Sequence, residues 1–560
     1  MTTEMELEKK EMYESKYSKY LIQNTNRFAT KEEVIEFCEP NNKNSIKKFS
    51  GVPIFYENET LFVDNSDAHY MISGGTGSKK TRTSVINTTL SVIESEENAV
   101  ITDPKGELFR RTAGTAMRKN YNIKVLNLRN PKRSDGWNPM TLPYRLDVSG
   151  KKEEAEELLC DFINSITEPI KLVTKDVYWA DRTNSKLVAE AKLQMDSVPE
   201  KFFNISTLMQ IAKKKNKYLL EELIKECDDK QPFFESIESF MNMSAEKTQD
   251  CLYDTVQQAF GPYSQRSALL NILCDNDINF TDLVIEKKKT IIYIIYPDEK
   301  MSMAFLVNLF LTQCYYYLKM YVEENNLPRL KTRVNFICEE FGNLPKVENF
   351  ANRISMARGF NIRYFLYIQA YSQLVNIYKD DAETIKGNCD WIIYPSKERS
   401  FLKEVSDFAG EIRDYQNAIK PLLSVDRIQH LKKYQDGAEA VVIKSGQYPF
   451  IVKIPDYEYI EIYNIEKEEK LSEKRRNFYD HTLTMNEWLK GINEEVFNFP
   501  FPKTKRTVDR RITKSKTSKE LISSRKTKKS KNNNDVISDE VMKELEAKFD
   551  ELFGAVDDEE

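Results

Sequence analysis

The 560-residue chain is poor in the residues that build metal and redox sites, with 8 cysteines and 3 histidines. The cysteines stand at 38, 160, 227, 251, 274, 314, 338 and 389, so no pair has C-x-x-C spacing. His69, His430 and His481 are equally isolated. This spacing argues against structural zinc and suits small core hydrophobes in a reducing compartment. Charge of one sign is missing too. Lys+Arg 83 against Asp+Glu 88 leave a formal net charge of -5, which excludes a globally basic nucleic-acid binder but not a local basic patch. Met1–Lys19 is charged and lacks the apolar run of a signal peptide. The most apolar candidate helix, Met303–Val322, carries Asn308, Gln313 and Lys319 and closely follows a strand-like run. It reads as a core helix rather than a membrane span, and the chain as cytoplasmic.

What is present suffices for large cores. Hydrophobic residues make up 40% of the chain and aromatic residues 11%, which excludes a disordered or fibrous protein and a disulfide-stapled miniprotein. At roughly 150 residues per domain, the length suggests three or four domains. Residues 1–50 are polar and predict a short helical or loosely ordered lead-in. From 51 to 148, apolar runs at His69–Ser73, Ala99–Thr102 and Ile123–Leu128 alternate with helix-like stretches. That is the pattern of a parallel sheet with crossover helices.

Between 149 and 275 the spacing turns helical, at Glu154–Ile166, Asn184–Met195, Tyr218–Glu226 and Ala245–Phe260, and predicts an inserted all-α domain. Sheet character returns over 276–465. Thr290–Tyr296 is a near-continuous apolar run suited to a strand buried on both faces. Val334–Cys338, Tyr364–Ile368, Trp391–Tyr394 and Ala438–Ile443 follow, with helices at 302–320, 346–358 and 401–411 between them. One α/β core is therefore expected from two sequence segments.

The end of the chain differs in kind. Residues 466–534 form a linker and tail in which 503–531 carry 13 Lys/Arg against Asp509 and Glu520 alone. Residues 535–560 reverse the sign, with 11 acidic residues against Lys543 and Lys548. There Val541, Leu545, Phe549, Leu552 and Phe553 fall at helical spacing between a Ser538 N-cap and a Gly554 stop. The basic stretch is expected to be disordered alone, and the terminal helix to need a partner over its apolar face.

The strongest local signal is Tyr70 to Thr81, a strand running into a glycine-rich turn and then a helix. Backbone N–H groups of such a turn converge on phosphates, aided by the helix N-terminus. In the Walker A pattern Gly74 is the first glycine, Gly75, Thr76, Gly77 and Ser78 form the loop, Lys80 reaches the β/γ-phosphates of ATP and Thr81 supplies the Mg2+ hydroxyl. The second glycine is replaced by Lys79, which adds a Cβ where the backbone wraps the anion, and also a positive charge.

Val334–Cys338 ends in Glu339 and Glu340, a Walker B arrangement. Glu339 would hold the Mg2+ shell through water, and Glu340 would polarise the attacking water. Gln369, at the end of the next strand, is placed to sense the γ-phosphate or orient water.

These residues resemble the TraG/TraD-type coupling ATPases of conjugation and type IV secretion, in the HerA–FtsK group of DNA motors. The resemblance runs in order through Asp67–Ser78, Thr102–Leu108, Leu126–Pro131, Trp137–Pro139 and Ile292–Asp298. It continues through Glu340–Pro345, Ala357–Phe360, Gln369–Leu374 and Gly387–Asp390. It covers about residues 50 to 465, and Lys548–Gly554 also looks like tails of Gram-positive members. Three departures stand out: Lys79, Glu339 in place of the usual aspartate, and the absence of the family's N-terminal membrane helices.

The resemblance implies a RecA-like P-loop NTPase core with an all-α domain inserted after the third strand. It implies a homo-hexameric ring with nucleotide between subunits and DNA in the channel. Arg358 would be a finger reaching the neighbouring subunit's site, with a surface arginine on a helix end as the alternative. Glu340 would be the general base. Partners would be DNA, a relaxase or relaxosome protein, and membrane secretion-channel proteins that bring the chain to the inner face of the membrane.

Function on this reading is an ATP-driven DNA translocase coupling relaxase–DNA substrate to the transfer channel. The main alternative is a non-hydrolysing adaptor whose phosphate loop Lys79 has disabled. A motor for chromosome segregation or packaging is a third reading.

Overall fold

The computed structural model describes residues 26–474, apart from 175–176, 218–219, 222–223, 225–232, 244, 287, 414–417 and 466–467. The charged tail and most of the expected helix Tyr218–Glu226 lie outside the described residues.

Ten strands of the described residues join in one sheet. In chain order they are β1 His69–Ser73, β2 Asn98–Asp103, β3 Asn122–Asn127, β4 Thr290–Ile295 and β5 Val334–Cys338. They continue with β6 Ile362–Ile368, β7 Cys389–Ile393, β8 Lys433–Tyr434, β9 Gly437–Ile443 and β10 Phe450–Pro455. The spatial order is β8-β9-β7-β1-β6-β5-β2-β4-β3, with β10 also on β9. From β7 to β3 every pairing is parallel, and β9 closes the β7 edge antiparallel.

Buried on both faces, β1, β2, β4, β5, β6 and β7 have every residue in the buried interior. This is why they read as unbroken apolar runs instead of alternating ones. The pleat still sorts their side chains. Met71, Val100, Ile292 and Ile294 join one core, and Tyr70, Ile72, Ile101 and Tyr293 join the other.

On the second face lie helices Ile86–Glu94 and Glu107–Arg118 and a three-stranded sheet of Glu39–Asn41, Val52–Glu57 and Thr60–Asp64. The stretch expected as a lead-in thus contributes the helix Lys31–Phe37 and an edge strand, Glu39–Asn41. Thr30 and Glu33 form a reciprocal capping box that starts the helix.

The helices between β3 and β4 cover the first face. Lys152–Lys171, Tyr178–Ser197 and Glu246–Ser264 are the longest, and Phe162, Phe203 and Phe260 share one core with Val100 and Ile292. Chain entry and exit lie side by side, because Gly136 O accepts from both Asp277 N–H and Ile278 N–H, and Trp137 N–H donates to Ile272 O. A segment whose ends meet can be inserted between adjacent parallel strands without disturbing them.

Helix Met301–Glu324 is the apolar candidate noted above. Its Asn308 donates to Pro345 O at 2.6 Å and its Gln313 to Pro139 O at 2.7 Å. Those two polar side chains therefore tie a core helix to its surroundings. Among the described residues no helix is long and apolar enough to cross a membrane.

Candidate functional site

The seven parallel strands end on one edge of the sheet, where open α/β sheets take ligands. At its centre β1 runs into Gly74–Thr81. Gly74 N–H donates to Ile368 O at 3.2 Å and Gly75 N–H to Pro395 O at 3.1 Å, pinning the loop to the ends of β6 and β7. A Cβ at Gly74 would stand 2.7 Å from the Tyr394 Cβ and 2.9 Å from Ser78 Oγ. Gly77 has φ +74 and open space around it. Thr76 is exposed, while Ser78 is buried with a hydroxyl that has no partner.

Lys79 also takes a left-handed conformation, φ 68. This is the backbone path that a glycine would follow freely, at a penalty of roughly 1–2 kcal/mol for a residue with a Cβ. Its side chain leaves the loop. Nζ donates to Tyr434 O at 2.6 Å and Gln435 O at 3.0 Å, and lies 3.9 Å from the Asp456 carboxylate. The substitution that breaks the Walker A pattern thus preserves the shape of the loop.

Lys80 turns inward. It is 7% exposed, and its Nζ donates to Ile368 O at 2.5 Å. Burial lowers its pKa, against the pull of Glu340 and Glu339. Thr81 opens a π-helical turn, Thr81–Val85, and its hydroxyl donates to Glu339 Oε1 at 3.3 Å. Glu340 follows with φ 55 and ψ 40, a left-handed glutamate. Gln369 Nε2 donates to both of its carboxylate oxygens, at 3.1 and 3.0 Å. A strained residue held by two hydrogen bonds at a sheet edge points to function.

Asp103, beside Glu339 on the next strand, is fully buried and accepts from Phe109 N–H at 2.9 Å. Burial raises its carboxyl to about 6, partly offset by the backbone N–H groups of the helix it caps. Burial raises Glu339 to about 8, with Asp103 and Glu340 adding repulsion. Both carboxyls therefore hold protons that the unfolded chain would release at lower pH. The stability they contribute is complete below about pH 4 and is lost as pH rises through 6 and then 8. In EDTA the melting temperature is expected to fall between pH 6 and 8.5, and Glu339→Gln to flatten that fall.

The structure brings Lys80, Thr81, Glu339, Glu340 and Gln369 together. It does not bring Arg358 to them. Arg358 is exposed at the end of helix Phe350–Ala357 and precedes β6, whose seven residues put roughly 20 Å between it and Gln369.

Two further residues organise the site. Gln373 Oε1 accepts from Gln369 N–H and Ala370 N–H, and its Nε2 donates to Asn343 Oδ1, knitting the β5 and β6 loops together. A glutamine at the third position of helix Tyr371–Tyr378, from which a side chain reaches back to the N-cap N–H, was the available signal. Glu398 accepts from Tyr371 N–H and Ser372 N–H, both at 2.7 Å. Nothing local in the sequence marks it. Among the described residues no cluster of His, Cys, Asp and Glu could hold a metal by itself.

The family described as type IV secretory system conjugative DNA transfer matches residues 18–412. No curated protein matches the chain by sequence. Among solved structures, the unbound monoclinic form of the bacterial conjugative coupling protein TrwBdeltaN70 is 15% identical, with a TM-score of 0.54, covering 81% of this chain and 96% of that one. The plasmid coupling protein TrwB in complex with ADP and Mg2+ is 14% identical, with a TM-score of 0.53, covering 80% of this chain and 95% of that one. At such identities the likeness establishes the fold, the RecA-like P-loop core expected from the sequence.

Proposed function

The chain belongs to the type IV secretory system conjugative DNA transfer family, and from that membership we propose an ATP-driven coupling protein that brings a relaxase–DNA substrate to a membrane transfer channel. The observation that carries the reading is the meeting of Lys80, Thr81, Glu339, Glu340 and Gln369 around a loop of phosphate-binding shape. The buried, unpartnered Ser78 hydroxyl and the inward ammonium of Lys80 fit a polyphosphate. The Thr81 hydroxyl and Glu339 carboxyl, an all-oxygen pair, fit a hard divalent cation holding water. TrwB binds ADP and Mg2+ on the same fold.

In this scheme the loop N–H groups and Lys80 hold the β/γ-phosphates of ATP, and Thr81 and Glu339 hold Mg2+, the latter through water. The cation, when bound, offsets negative charge at the phosphates. Glu340 accepts the proton of the attacking water. Gln369 keeps the Glu340 carboxylate in register with that water and senses the terminal phosphate.

Arg358, at the opposite edge, would serve a neighbouring subunit's site in a homo-hexameric ring around DNA. The all-α segment 149–275 would form the ring's second layer. The basic tail would hold DNA, and the acidic stretch 535–560 would dock the relaxase or a channel protein at the inner face of the membrane.

The test is ATP hydrolysis by the full chain with and without DNA across a salt series. DNA-stimulated turnover is expected. The net +11 of residues 503–531, 13 basic minus 2 acidic, acts through counterion release, so stimulation should fade steeply with salt. Deleting 503–531 should flatten the salt slope. Absence of turnover in wild type, with turnover restored in Lys79→Gly, would leave the adaptor reading in its place.

A further inference from the structure

The C-terminal hairpin of β9 and β10 packs on the phosphate-loop helix through a row of polar contacts. Arg82 donates to both Asp456 oxygens, at 2.6 and 2.9 Å, and pairs with Glu458 at 2.7 Å. Asn87 donates to Pro455 O at 2.7 Å. Lys79 extends this row onto the loop itself, through Tyr434 O at the end of β8 and Gln435 O in the turn that follows. Asp456, 1% exposed, is shared by Arg82 and Lys79. Gly437 closes that turn because a Cβ there would stand 2.5 Å from Ile454 O. The turn therefore lies tightly against β10 and has little freedom to follow the lysine anywhere else.

We propose that Lys79 is a positioning residue that straps the phosphate loop to the 433–437 turn, so that phosphate binding at the loop is felt in the C-terminal hairpin. A glycine at this position would allow the same backbone but could not make the connection. The ammonium satisfies two carbonyls and a buried carboxylate in one place, which holds the left-handed residue from outside the loop. Chemically, the ligand that acts through the strap is a nucleoside di- or triphosphate, so this inference rests on the nucleotide-binding reading above.

Amide hydrogen exchange on the full chain, with and without the fluorescent nucleotide mant-ADP and Mg2+, tests it. In wild type, exchange of residues 433–438 is expected to slow on nucleotide binding. In Lys79→Met, which keeps the aliphatic stem without the ammonium, the same amides should exchange faster and ignore nucleotide. Affinity for mant-ADP should fall about 10-fold, the scale of one charged hydrogen bond. Lys79→Arg should restore both the protection and most of the affinity. Lys79→Gly, free of backbone strain, should bind but leave the turn unresponsive, which guards against misreading a misfolded Met variant.

Equal protection of 433–438 by nucleotide in wild type, Met and Gly variants would overturn the strap. Should wild type bind no mant-ADP, the nucleotide reading fails by itself. The strap is then judged without nucleotide: faster exchange of the turn in Lys79→Met supports it, and unchanged exchange overturns it.

Discussion

Lys80→Ala is expected to abolish nucleotide binding and hydrolysis together, by roughly 100-fold or more, whereas Glu340→Gln keeps binding and stops turnover. The split follows from where the two side chains sit. Lys80 is a buried cation whose ammonium lies on the Ile368 carbonyl and feels both glutamates. In a site this dry, removing it takes away the charge that balances a polyphosphate. Ground state and transition state lose the same interaction.

Glu340 holds no ligand in this scheme, and only its proton-accepting oxygen matters. Glutamine keeps the shape and can still meet Gln369 but cannot take a proton, so kcat should fall about 10²- to 10⁴-fold with affinity within a few-fold of wild type. Gln369→Ala should lie between, because Glu340 keeps its chemistry and loses the two bonds that orient it. Equilibrium binding of mant-ADP and steady-state turnover on the same preparations separate these outcomes. If Lys80→Ala hydrolysed ATP at the wild-type rate, the measured activity would come from elsewhere and the motor reading would fall.

Which parts of this arrangement could be read from the sequence depends on how locally each is encoded. Strands buried on both faces announce themselves: His69–Ser73 and Val334–Cys338 were legible to the residue. The phosphate loop, Glu339–Glu340 and Gln369 each stand at a strand end, so their convergence follows once those strands are parallel and close in the sheet. The pair Asp436–Gly437 is a hairpin signal in the sequence, one residue beyond the actual Gln435–Asp436 turn, yet β8 and β10 are short or partly exposed and carry a weak pattern. The role of Lys79 was illegible for a different reason. Its partners are 355 and 356 residues away in sequence, and only the fold brings them together.

The same reasoning explains why β6 begins two residues earlier than its apolar pattern suggests, and it yields the largest expected effect on stability. Arg363 interrupts the run, and a strand buried on both faces has no obvious place for it. The structure buries it completely. Nε donates to Asn335 Oδ1 at 2.9 Å, one terminal nitrogen to Ser66 O at 2.9 Å, and the other to Ser50 Oγ at 2.7 Å and Glu97 Oε2 at 3.5 Å. The guanidinium also lies 4.9 Å from the centroid of the Phe365 ring. One side chain thus joins β6, β5 and the strand-free segments around Ser50, Ser66 and Glu97, all at the edge opposite the phosphate loop. Burial pulls its pKa down to about 10, with Glu97 resisting, so it stays charged at neutral pH.

Arg363→Met fills similar volume but leaves Asn335 Oδ1 and the Ser66 carbonyl without their donor, and takes from Glu97 one of its two guanidinium partners, Arg333 being the other. Breaking a buried, hydrogen-bonded charge in this way is destabilising by about 3–5 kcal/mol, a large fraction of the roughly 5–15 kcal/mol that holds a domain folded. Thermal melting should show a loss of about 5–10 °C. Arg363→Lys should recover only part of it, because an ammonium cannot fan out to four acceptors on four segments. The double variant Arg363→Met with Glu97→Gln should be less destabilised than the sum of the two single changes, since each single change already removes the one pair they share. Strict additivity would mean that the cost lies in packing and the other hydrogen bonds rather than in the pairing of Arg363 with Glu97.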